Sequence, residues 1–466
     1  AETQTTAVDI DAIDLEALAE WLVERRWFGS KTRELTQVGV IDMPLLDPEP
    51  PQLRIALVVA HFGSGAHEIY QVPIAIGGAD ELPAEARIAA LGDAVAYDVL
   101  AERRDPPRLM KMIAAGGQVA SAEGRVVFEW CGAGPPPPEG AEVRPISSEQ
   151  SNSSVVFGEN AILKIYRRVE AGVNPELELL RFLGNRGFKR IPALLGWFEY
   201  QGRPADATLG IAQEFIADGR DGWVLTLDGL AGDPDSLLGP LRALGATVGA
   251  MHTALASDPT DPVFAPEERG HKSLALFTAT LDEQIERVFL DLPADERLEP
   301  ILHRGEELRD QLRALARIGG VGMAIRVHGD LHLGQTLLTD SGWTILDFEG
   351  EPARPLPERR TKHSPLRDVA GLLRSVAYAP LASRMRGATE PPPDWEARAR
   401  EGFLDGYLDA IDPVLLPATR REVDHLLAIY ELEKAVYELN YELNNRPDWV
   451  EIPVAGITRL LEVEAA

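Results

Sequence analysis

Apolar positions recur with two patterns along this chain, strands mixed with helices up to residue 217 and mostly helical spacing from residue 218 onward. Residues 9–28 predict an amphipathic helix, with Ile13, Leu15, Leu18, Trp21 and Leu22 near helical spacing and Gly29 ending it. Residues 38–41, 53–60 and 68–73 then read as strands between Pro- and Gly-rich turns, so residues 1–90 form a small α+β unit. A helix is expected over Ala86–Ala101 and a strand over Gly124–Glu129, and Pro135–Pro138 marks a stiff exposed connection. Strands follow at Val155–Phe157 and Ala161–Tyr166, and a helix over Asn174–Leu183. The strand ending at Gln213–Ile216 reads as a hinge, closing a second part at 91–217. The third part, 218–466, is helical at 244–255, 274–290, 299–317, 366–379, 395–410 and 420–444. One hairpin interrupts it, with Thr336–Leu338 and Trp343–Leu346 as strands and Asp340-Ser341-Gly342 as the turn.

That hairpin carries the candidate chemistry. Val327-His328-Gly329-Asp330-Leu331-His332-Leu333-Gly334-Gln335 precedes it and Asp347-Phe348-Glu349 follows it. Phosphoryl transfer from a nucleotide asks the protein for a proton acceptor and for oxygen ligands that hold magnesium against the phosphates. In protein kinases a catalytic-loop Asp is followed five positions later by a metal-binding Asn, and an Asp-Phe pair comes later. Here Asp330 is the candidate catalytic base. Gln335 stands five positions on with an amide oxygen, and Asp347 supplies the carboxylate, with Glu349 in place of the usual Gly. His-Gly-Asp alone is often only a turn. The offset of five and the later apolar-Asp-Phe are what make the pattern specific. A hairpin returns Asp347 beside Gln335, so both oxygens can share one Mg2+.

The strand lysine of a kinase contacts the α- and β-phosphates and is held by a helix glutamate. Lys164 lies in Ile-Leu-Lys-Ile ahead of a helix carrying Glu176 and Glu178. An edge-strand lysine reaching to solvent would look the same locally. The spacing leaves both glutamates open and we favour Glu178. The preceding loop, Gln150 with Ser151, Asn152, Ser153 and Ser154, has no G-x-G-x-x-G pattern. It offers amides and hydroxyls for phosphate oxygens, or simply a polar surface turn. Glu214 and Ile216 at the hinge complete the expected ATP contacts. No G-x-x-x-x-G-K-[ST] sequence is present, which disfavours the P-loop class.

Charge narrows the partners. The net charge of −28 argues against nucleic acid and anionic membranes, since both need basic surface. It also requires an ATP site to be locally basic within an unfavourable overall field. Cys131 is the only cysteine, so an intrachain disulfide and cysteine-based zinc sites are excluded. With an acidic, polar N-terminus and no long apolar run, a cytoplasmic protein is expected.

With these elements in order, the chain resembles the aminoglycoside-phosphotransferase branch of the kinase-like fold, and within it the bacterial maltokinases. The resemblance is carried by residues 326–336, by Asp347-Phe348-Glu349-Gly350-Glu351-Pro352 and by Glu358-Arg359-Arg360 with 364–371. Residues 432–442, Asn445-Arg446-Pro447-Asp448-Trp449 and Arg26-Trp27-Phe28-Gly29-Ser30-Lys31 extend it over nearly the whole chain. It implies an α+β, bilobal protein-kinase-like fold with an N-terminal cap subdomain and a mostly helical C-terminal lobe. It also implies ATP- and magnesium-dependent phosphorylation of maltose to maltose 1-phosphate for α-glucan (glycogen) synthesis. A monomer or weak oligomer is expected, associating with other α-glucan enzymes.

On the helix 420–444, Leu432, Val436, Leu439 and Leu443 face the core, and Lys434, Tyr437 and Tyr441 share a neighbouring face. Pattern alone favours a surface stripe whose tyrosines pack as partly buried hydrophobes. The resemblance implies that these three hold the sugar, with Arg446 and Trp449 as lesser candidates. Two alternatives stand: a kinase for glucosamine or another hexose, and a catalytically silent kinase-like binding module. The presence of Lys164, Asp330, Gln335 and Asp347 together speaks against the second.

Overall fold

A computed structural model describes residues 13–78, 82–132, 134–146 and 151–462. Residues 9–12 of the expected first helix and Gln150 of the polar loop lie outside the described residues. The chain forms two compact units, Ala1–Arg181 with Pro192–Ala217, and Phe182–Ile191 with Asp218–Ala466.

The first unit holds two seven-stranded sheets. One orders its main strands Leu35–Asp42, Gln52–Phe62, His67–Gly77, Ala94–Asp98 and Arg87–Leu91, all antiparallel. The helix Leu15–Glu24, capped by the Asp14 carboxylate, buries Leu18, Trp21 and Leu22 in the core of this sheet. The other sheet runs Gly117–Ala120, Gly124–Trp130, Leu194–Gly202, Ala207–Glu214, Ala161–Ile165, Ser153–Phe157 and Val143–Ile146. Apolar side chains from both sheets and from the helix Pro106–Ala115 make a common core. Arg168–Val169 returns to pair with His67–Gly77, fastening the second sheet's chain to the first.

The expected helix over Ala86–Ala101 is instead a hairpin, Arg87–Leu91 against Ala94–Asp98, ending in a short 3-10 turn. Alanine-rich composition suggests helix. Gly92-Asp93 between the two apolar runs decides otherwise, because Gly92 takes φ +62° and closes a two-residue turn. A boundary at residue 90 falls inside this hairpin.

In the second unit, helices Gly222–Ala231, Leu238–Leu255, His271–Leu290, Gly305–Leu315, Leu366–Met385, Trp395–Ala410, Arg420–Asn445 and Glu451–Leu461 surround one hairpin. Gly222–Ala231 and Glu451–Leu461 are additions to the expected helices, and residues 299–317 yield a helix only from Gly305. The hairpin pairs Thr336–Thr339 with Gly342–Ile345, and Arg220–Asp221 adds a third short strand. Arg420–Asn445 starts at a reciprocal capping box between Thr419 and Glu422, an arrangement worth about 1 kcal/mol. Among the described residues, no helix is long and apolar enough to cross a membrane.

Candidate active site

Lys164 lies on the strand Ala161–Ile165, opposite Ser154 and Ile211 in the register. Its Nζ is 2.8 Å from Glu176 Oε2, and both side chains are buried. The carboxylate at this distance is that of Glu176, which replaces the favoured Glu178; Glu178 is buried nearby on the same helix. Asn174 fixes the helix start by accepting the Glu176 N–H at 2.8 Å, and the Tyr166 hydroxyl donates to the same Glu176 oxygen. A buried ammonium thus gains a carboxylate that is itself held in place, as such a pair must be to offset desolvation.

The polar loop divides. Ser151 is exposed, whereas Asn152 and Ser154 are buried. Ser153 Oγ accepts from Arg167 Nε at 2.7 Å, and Arg167 also reaches Asp98 at 2.6 Å. The Ser153 oxygen thus accepts from protein, while its O–H is still a donor of the kind a phosphate oxygen needs. Glu214 ends its strand with its side chain on the Ala193 N–H, and Ile216 follows half-buried.

In the second unit the hairpin brings Gln335 and Asp347 together. Gln335 Nε2 donates to Asp347 Oδ2 at 3.0 Å, and the Leu346 N–H donates to the Gln335 carbonyl at 2.9 Å. The pair presents an amide oxygen and a carboxylate, a hard donor set that fits magnesium. Asp347 has φ +60°, in the left-handed region that Asp and Asn tolerate better than other side chains.

His328 ties Asp330 to this pair. Its Nε2 lies 2.7 Å from the Leu346 carbonyl, which can only accept, so Nε2 carries the proton. Nδ1 is then the acceptor for the Asp330 N–H at 3.3 Å. Phe348 packs on the same ring, with centroids 4.8 Å apart. One imidazole thus links the half-buried Asp330 to the residue preceding Asp347.

The helix Leu366–Met385 holds the loop from below with one face, spaced three and four residues. Asp368 accepts the His328 and Gly329 N–H groups at 2.7 and 2.9 Å. Gly371 lets the Leu331 carbonyl approach, since a Cβ there would lie 2.7 Å from that oxygen. Ser375 Oγ accepts the Leu333 N–H at 3.0 Å. Behind Asp368, His252 bridges Asp368 Oδ2 and the Tyr407 hydroxyl, each at 3.0 Å. Burial pushes the Asp368 carboxyl up, but the His252 hydrogen bond and charge, with His328 and the Gly329 N–H, overcome it and hold the carboxyl below its usual range. Burial lowers the basicity of His332 in the loop, against the pull of the Asp330 charge.

Asp368, His252, Tyr407 and Ser375 drew no role from sequence reasoning. The available signal was a carboxylate and an imidazole within otherwise apolar helical stretches, Asp368 before Val-Ala-Gly-Leu-Leu and His252 after Val-Gly-Ala-Met.

A second face of Leu366–Met385 meets Arg420–Asn445 through Arg367–Glu433, Arg374–Glu438 and Tyr378–Glu442. This contact places Lys434 beside the loop, its Cε 3.2 Å from where a Cβ on Gly371 would be. Tyr437 and Tyr441 are 61% and 42% exposed and stack on each other at 6.4 Å. Burial raises the Tyr437 phenol, and the charge of Glu351, the neighbouring Tyr441 and the charge of Asp330 raise it further. Tyr437 therefore lies within the field of Asp330. The flanking carboxylates are engaged, Glu351 by Arg354 at 2.6 Å and Glu433 by Arg367 at 2.9 Å.

Residues 142–414 match the phosphotransferase enzyme family, and residues 21–101 match the maltokinase N-terminal cap domain. Glucosamine kinases of Mycolicibacterium smegmatis and Streptacidiphilus jiangxiensis are each 28% identical to this chain, over 338 and 332 residues. Each alignment covers 68% of this chain, with 79% and 73% of the two relatives. A solved glucosamine kinase in complex with glucosamine, ADP and inorganic phosphate shares the fold. Its TM-score is 0.69 at 22% identity, covering 96% of this chain and 99% of that one. A kinase-like fold with a sheet-rich first part and a helical second part is thus common to both. The chain belongs to the phosphotransferase enzyme family.

Proposed function

We propose that this protein transfers the terminal phosphoryl group of ATP to the anomeric hydroxyl of maltose, giving maltose 1-phosphate and ADP for α-glucan synthesis. Asp330 accepts the hydroxyl proton. Lys164, steadied by Glu176, carries positive charge for the α- and β-phosphates. Gln335 and Asp347 are the residues that would hold magnesium, which when bound neutralises charge on the transferring phosphate.

The observation that carries the acceptor assignment is the exposed, stacked Tyr437–Tyr441 pair beside Lys434 and within the field of Asp330. Phenol rings offer a sugar both a stacking face and a hydroxyl partner. A platform of two rings suits a second glucose unit more than a lone hexose. Glucosamine is the second reading, favoured by the relatives named above. An ammonium acceptor would meet Lys434 and carboxylates already paired with guanidinium groups, which favours the neutral disaccharide.

An acceptor screen at fixed ATP tests this. Maltose is expected to have the highest kcat/KM, with glucose a poor acceptor because contacts to the second ring position the first. A higher kcat/KM for glucosamine would overturn the maltose assignment and leave the kinase assignment standing. Absence of ATP turnover with every sugar would favour the silent module.

A further inference from the structure

Beyond the tyrosine platform, a cavity of about 540 Å³ opens between the helices His271–Leu290 and Arg420–Asn445. That volume is within the range of small-molecule sites. Tyr437 lines it as well as stacking on Tyr441, so the platform and the cavity are continuous. The other polar lining is Gln284, Arg287, Asp291, Asn440 and Asn444. Val436 and Leu443 supply an apolar floor.

This lining has a definite chemistry. Three carboxamides, one phenol, one guanidinium and one carboxylate can each donate or accept at short range, and their formal charges cancel. A phosphorylated ligand would require an excess of cations, which is lacking here. A hydroxyl-rich neutral ligand meets donors and acceptors in mixture, and its C–H faces meet Tyr437 and the apolar floor. Among the described residues no ion-pair partner of Arg287 is found, although the chain has 74 acidic residues against 46 basic ones. Its donors are thus available for a ligand.

We infer that this cavity is a subsite for further glucosyl units, so that α-1,4-linked oligosaccharides of three or more units bind and accept phosphate better than maltose does. The inference rests on the maltose reading. The reducing-end unit sits at Asp330, the second on the tyrosines, and the third occupies the cavity.

The test compares maltose and maltotriose, by calorimetric binding without nucleotide and by kcat/KM with ATP, in the wild type and in Arg287→Ala and Asn440→Ala. Both substitutions are on exposed positions, and thermal melting checks that each variant folds. Maltotriose is expected to bind about five- to tenfold more tightly than maltose in the wild type, the gain from one or two hydrogen bonds. Each variant should lose most of that advantage while its maltose parameters stay unchanged. Equal binding of the two sugars by the wild type, or an advantage retained in both variants, would overturn the subsite while leaving maltose as acceptor. Failure to use maltose at all overturns the acceptor reading, and the subsite with it.

Discussion

At the scale of single residues, the second unit concentrates its constraints on three oxygen-bearing side chains. Asp330 is positioned through its own backbone, by His328 Nδ1, and the His328 ring is in turn set by the Leu346 carbonyl. Removing only its charge separates chemistry from structure. Asp330→Asn should melt like the wild type and keep its ATP KM while kcat falls about 10²–10⁴-fold, the range of a general base. Near-normal turnover in steady-state assays would remove Asp330 from that role. Asp347 carries a further demand, because its backbone is left-handed at φ +60°. Asp347→Asn should retain stability and require more magnesium for half-maximal rate. Asp347→Ala should show the same magnesium defect and also lose about 1 kcal/mol in urea unfolding, the cost of that conformation for an ordinary side chain. Equal stability of the two variants would show that the backbone at this position is unstrained.

At the scale of elements, the helix Leu366–Met385 organises the site, because one face carries Asp368, Gly371 and Ser375 against the loop and another meets Arg420–Asn445. Gly371 is the closest point of approach. An alanine there would press on the Leu331 carbonyl and on Lys434 Cε, displacing base and acceptor helix together. Since a misplacement of about 1 Å can cost about 10²-fold, Gly371→Ala should lower kcat at least tenfold with ATP KM little changed. An unaltered kcat would mean that the loop holds its shape without this helix. The hairpin itself was legible in the sequence, since alternating Thr336–Leu338 and Trp343–Leu346 flank an Asp-Ser-Gly turn and period and turn agree. Ala86–Ala101 was misread because its alanines speak for helix and only Gly92-Asp93 speaks for a turn. Glu176 and Glu178 differ by two positions on one helix and point in different directions. Choosing between them needs the placement of that helix on the sheet, which no local pattern contains. The same holds for Asp368 and His252, whose meaning comes from a contact 116 residues apart.

For the whole molecule, fold class was readable because two patterns of burial, strands mixed with a few helices up to residue 217 and mostly helix beyond it, reflect how each stretch buries apolar surface. Electrostatics on this scale was less readable, since a net charge of −28 does not reveal where arginines gather. One such gathering surrounds His363. Burial, and then the charges of Arg367, Arg269 and Arg354, push its imidazole down to about 3. Its hydrogen bonds agree with a neutral ring. Arg367 Nη1 lies 3.4 Å from Nδ1, and Nε2 is 2.8 Å from the Thr361 hydroxyl, which donates to the Glu358 carbonyl. Because the folded state binds this proton less readily than the unfolded chain, the contribution of His363 to stability is complete above its ordinary value of about 6.5. It declines as the pH falls from there toward 3. His363→Gln keeps a polar side chain without that titration. Its melting temperature should start lower than that of the wild type at pH 7.5 and fall less steeply between pH 6.5 and 5. Parallel decline of the two proteins would show that the acid sensitivity in this window comes from carboxylates elsewhere, and that the arginines around His363 leave its protonation unaffected.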